Sequence, residues 1–78
     1  MEDTCKLNHT MEDVRQKYES QKTFLPTNMH SSFETFFNQE HTQELLNDVF
    51  HLLKKYDLAS EEEKDHRNNR LNMVLDNL

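Results

Sequence analysis

Residues Thr42 to Leu58 carry the pattern that the rest of this chain must accommodate. Stepped at 100° per residue, Leu45, Leu46, Val49, Phe50, Leu52, Leu53 and Tyr56 fall within an arc of about 160°. Gln43, Glu44, Asn47, Asp48, His51, Lys54 and Lys55 take the opposite side. A coiled-coil seam is narrower than this, so a helix over these residues is expected to pack against two neighbours at once. Glu44 near its start and Lys54 and Lys55 near its end suit the helix dipole.

Upstream, Leu7, Met11, Val14 and Tyr18 recur at intervals of four, three and four, the a/d seam of two heptads. Thr10 with Asp13 three residues on offers a capping signal. Such a seam either lies in the domain's own groove or docks on another protein or a second copy. Phe24-Leu25-Pro26-Thr27-Asn28 ends that segment, because Pro26 removes a donor and pushes Leu25 out of the α region. Residues 1–30 thus read as an amphipathic helix and linker, and 31–78 as the helical core of a single domain.

Ser31 and Glu34 match a capping box, followed by Phe33, Phe36 and Phe37 at helical spacing. If this stretch ran straight into the central helix, its phenylalanines would fall on the polar side of that helix. A break near Asn38–Thr42, with Thr42 as N-cap, removes the conflict. Ser60 with Glu63 reads as a second capping box, opening a helix whose Leu71, Val74, Leu75 and Leu78 share one face. Lys64 and Arg67 occupy that face upstream and must snorkel or project beyond the core. Val, Tyr, Phe and Thr never alternate as a strand requires. The expected fold is all-α: a small three- to four-helix bundle with helices at roughly 5–23, 32–38, 42–57 and 61–77, the last two forming an antiparallel hairpin.

Composition limits the function. Seventy-eight residues with 33% apolar content make a small core. The lone Cys5 forms no internal disulfide, so a homodimer or a larger partner is the expected source of further stability. No stretch is apolar enough to span a membrane, and no signal segment is visible, which together with the single cysteine points to the cytoplasm. A net charge of −6 disfavours nucleic acid and anionic membrane surfaces. Catalytic and phosphate-loop motifs are absent. Asp48-x-x-His51 and Glu63-x-x-His66 resemble metal-ligand steps, but the helical wheels turn them away from the apolar faces, and they read as solvated neighbours.

No catalytic, cofactor-binding or metal-ligating residue is therefore assigned. All five histidines are expected at the surface. The expected function is that of an acidic, cytosolic protein-binding regulator or adaptor, with Leu7, Met11, Val14, Tyr18, Phe33, Phe36 and Phe37 as contact residues. The alternatives are an acidic nucleic-acid mimic, with Glu61, Glu62, Glu63 and Asp65 as one acidic cluster and Glu40, Glu44 and Asp48 as another, and a structural homodimer.

Overall fold

Side chains that cap backbone N–H groups set three of the four α-helix starts among the described residues. The computed structural model describes residues 8–78, so Cys5, Leu7 and the expected first turn from residue 5 lie outside the described residues. Helix α1 spans Met11–Gln21. Its start is a full capping box: the Asp13 backbone N–H donates to Thr10 Oγ1 at 3.1 Å, and the Thr10 N–H donates to Asp13 Oδ2 at 3.0 Å. The helix therefore begins six residues later than the seam alone implied. A 3-10 turn, Lys22–Phe24, follows, and Leu25 is extended before Pro26 as a pre-proline residue must be.

Helix α2 spans Asn28–Phe37, a turn earlier than expected. The cause is Pro26 itself. Its carbonyl accepts the Met29 N–H at 3.0 Å and that of Thr27 accepts the His30 N–H at 3.0 Å, so the helix nucleates directly on the proline. The Ser31–Glu34 box is not a start signal: Ser31 sits inside the helix and its carbonyl accepts the Thr35 hydroxyl. The buried stripe of α2 is accordingly Met29, Phe33, Phe36 and Phe37.

Helix α3 spans Gln43–Leu53, separated from α2 at the expected break, with Thr42 Oγ1 accepting the Leu45 N–H at 3.2 Å. It stops four residues short of the expected end. Lys54 is extended, Lys55 turns left-handed at φ 57°, and Tyr56–Leu58 form a second 3-10 turn. The Arg67 guanidinium explains where the freed carbonyls go. Arg67 Nη1 donates to Lys54 O at 2.7 Å and to Leu52 O at 3.4 Å, while its Nε holds Glu63 at 3.0 Å. A cation at a helix C-terminus also opposes the dipole there. Helix α4 spans Glu61–Asp76, with Ser60 Oγ accepting the Glu63 N–H. The Glu63 carboxylate is turned to Arg67, so the capping box is only half used.

The described residues form an all-α bundle of four helices with one apolar core drawn from all of them. Helix α1 makes its broadest contact with α3, and α2 with α4, while α3 also touches α4. The last two helices thus touch, but theirs is not the broadest contact in the bundle. Tyr18 is fully buried against Phe33 at 4.6 Å and Phe37 at 5.4 Å between ring centroids. Each such side chain contributes about 1.5–3 kcal/mol by leaving water.

The buried Tyr18 hydroxyl finds no hydrogen-bond partner among the described residues, whereas the Tyr56 hydroxyl donates to Asn68 Oδ1 at 2.7 Å. Tyr18→Phe is expected to leave stability unchanged or raise it, and Tyr56→Phe to lower it by about 1 kcal/mol, read from urea unfolding. Lys55→Gly should raise stability by about 0.5–1 kcal/mol by relieving the left-handed backbone, measured the same way.

Candidate functional site

The residues first expected to meet a partner are mostly used internally. Val14, Tyr18, Phe33, Phe36 and Phe37 are buried in the core, Met11 is half-buried against it, and Leu7 lies outside the described residues. A narrow heptad seam and a cluster of phenylalanines satisfy each other when the two helices share one core. Gln21 continues the seam of Met11, Val14 and Tyr18 and is buried as well. Its Oε1 accepts the Asp57 N–H at 2.8 Å, tying the end of α1 to the turn after α3.

What remains for function is surface. Among the described residues four large apolar side chains are exposed: Phe24 (51%), Leu58 (76%), Met73 (67%) and Leu78 (38%). Met73 lies about 200° around α4 from buried Leu71, so the helix that buries Leu71 and Leu75 must turn Met73 outward. That offset was visible in the sequence. Met73 and Leu78 are not scattered, because both line an open groove of about 390 Å³ with half-buried Leu45 and Val74. Gln39, His41 and Asn77 complete its rim. His41 is fixed there by two contacts. Its ring stacks on Phe36 at 3.9 Å, and its Nε2 lies 2.7 Å from the Phe36 carbonyl, which requires the proton on that nitrogen.

A second feature joins the segment before α1 to α3. The His9 ring stacks on Phe50 at 3.6 Å and meets His51 edge-on at 5.8 Å. Its backbone is held as firmly. The His9 N–H donates to Asn47 Oδ1 at 3.0 Å, and Gln43 Nε2 donates to the His9 carbonyl at 2.6 Å. The His9 side chain is 11% exposed, with Nδ1 4.0 Å from Asp13 Oδ2 and Nε2 buried without a partner among the described residues. Burial, and then the nearby His51, lowers the His9 pKa; Asp13 opposes this and Lys54 adds a smaller lowering.

The histidines thus correct the expectation of a solvated set. His9, His30, His41 and His51 are half-buried, and only His66 is exposed. Asp48, His51, Glu63 and His66 do gather around one groove between α3 and α4, of about 290 Å³, with Arg67 and Arg70. Wheels drawn for single helices could not show that. Among the described residues no three His, Cys, Asp or Glu side chains are placed to share a metal ion, and Glu63 is already paired with Arg67. No helix is long and apolar enough to cross a membrane among the described residues. Comparison with protein-family models, curated proteins and solved structures returns no match to this chain.

The His9 contact sets a pH dependence. Its folded pKa lies below the unfolded value of about 6.5, so the unfolded chain binds the extra proton first. The stability carried by neutral His9 is complete above that unfolded pKa and is lost as pH falls from it towards the lowered folded value. His9→Phe keeps a ring on Phe50 and removes the proton site. The stability difference between the two proteins, followed by urea unfolding across this window, should move in favour of His9→Phe as pH falls. A difference that stays constant with pH would show that His9 is not held neutral.

Proposed function

We propose that this chain is a small protein-binding module, a regulator or adaptor that works by occupying a surface of another protein. One observation carries the reading: the groove bounded by Met73, Leu78, Leu45 and Val74 leaves large apolar side chains in water on a bundle whose other apolar residues are mostly packed. A groove between helices, apolar at its floor and polar at its rim, has the composition of a protein-contact site. Met is also well suited to such a place, since its flexible thioether adapts to a partner's shape. The single cysteine in 78 residues supports work in a reducing compartment, and we place it in the cytosol.

The test is affinity capture from lysate with the wild-type chain and with Met73→Glu, at low and moderate salt. Since Met73 is exposed, the variant should keep its far-UV helicity and its stability to within about 0.5 kcal/mol. Proteins retained by the wild type at both salts should be lost from Met73→Glu. Retention unaffected by the variant would place the contact elsewhere. Retention confined to low salt and abolished by changing Glu61–Glu63 would instead favour an acidic mimic.

A further inference from the structure

We propose that the surface around His41 takes a basic amphipathic helix of a partner protein, a step that rests on the docking reading above. A second open groove, of about 440 Å³, lies beside the one holding Met73, and the two share Gln39 and His41. Its apolar liners are Met11, Phe37 and Leu46. The link between α2 and α3 is therefore a polar saddle with an apolar trough on either side.

Two features choose the occupant. The first is backbone chemistry. Among the described residues there is no strand, so no sheet edge offers hydrogen bonds to an extended peptide. A helix satisfies its own backbone and can set one apolar anchor in each trough from a single face, with i and i+7 about 10.5 Å apart. The second is charge. Among the described residues neither groove is lined by Lys or Arg, and the one charged liner is Glu40. Glu44 adjoins Leu45, Asp76 lies between Val74 and Asn77, and Glu12 follows Met11, and all three are exposed. Against these four carboxylates stand Arg15, over the Phe37 ring at 4.6 Å, and exposed Arg70, one turn before Met73 and Val74 on α4. A rim of this sign attracts Lys and Arg. A second copy fits less well, because a two-fold pairing would bring Glu40 and its neighbours against their own equivalents.

The probes are two synthetic peptides of about 18 residues, with identical leucine faces and a polar face of either lysine or glutamate. The lysine peptide is expected to bind, and the glutamate peptide at least about tenfold more weakly. Amide shifts should concentrate in residues 39–46 and 73–78. Met73→Glu should weaken the lysine peptide about tenfold or more. The pair Glu40→Lys, Glu44→Lys should weaken it more than Glu61→Lys, Glu62→Lys, although both change the net charge equally.

Equal binding of both peptides in the grooves would overturn the basic partner and leave the docking reading intact. Shifts spread over residues 61–65, or equal effects of the two charge pairs, would mean attraction by overall charge and overturn the proposal. If neither peptide binds and sedimentation shows a dimer broken by Met73→Glu, the occupant is a second copy. A monomer that binds neither removes both the proposal and the groove as a docking site.

Discussion

Tyr18 set among Phe33 and Phe37 is the contact on which the rest of this bundle depends. Helix α1 is charged on most of its surface, and its buried contribution from side chains is Val14, Tyr18 and Gln21. Without the tyrosine in the aromatic cluster, α1 would have little to hold it on α2, and its contact with α3 would lose its backing. Aromatic pairs of this geometry add about 0.5–1.5 kcal/mol beyond the area they bury. In a domain this small, where net stability is a few kcal/mol, that is a decisive share. Placing the aromatics inside has a functional consequence: the most apolar residues of the chain cannot also be its contact surface.

Polar contacts between distant residues do the remaining work of holding α3. At its start, Gln43 and Asn47 bind the backbone of His9; beyond its end, Gln21 binds the Asp57 N–H and Arg67 takes the carbonyls of Leu52 and Lys54. Small domains commonly use disulfides or a metal for this purpose. Here four side chains do it, Gln43 and Asn47 of α3 itself, Gln21 of α1 and Arg67 of α4, each bond contributing about 0.5–1.5 kcal/mol and the Arg67 pair more. The left-handed Lys55 belongs with this set. A chain without glycine must place some other residue where its backbone turns out of α3.

Sequence periodicity located most of the helices and the break before Thr42, because one straight helix would have set Phe37 and Leu46, both buried, on opposite sides. Local capping chemistry was legible at Thr10, Thr42 and Ser60. It misled at Ser31, where the proline five residues earlier had already started the helix. What stayed illegible was tertiary. Nothing in the spacing of Arg67 shows that its guanidinium will reach the end of α3 rather than solvent, and no single-helix wheel shows that His9 will stack on Phe50, 41 positions away. The groove was half legible. Met73 stands off the apolar arc of α4, a signal that can be read from the wheel, but its junction with Leu45 depends on how the link from Asn38 to Thr42 is laid.

An apolar groove on an acidic protein is best understood as one device. Met73 and Leu78 in water would favour association between copies, and a net charge of −6 opposes that by mutual repulsion. Carboxylates close to the groove act more strongly than the net figure implies, since they lie nearest the approaching copy. The same repulsion becomes attraction when the approaching face is basic. With the basic partner proposed above, selectivity would arise because the apolar contact is open to many partners and the acidic rim is not. On the proposed reading, exposure of the groove is tolerable for the same reason that its partner would be restricted.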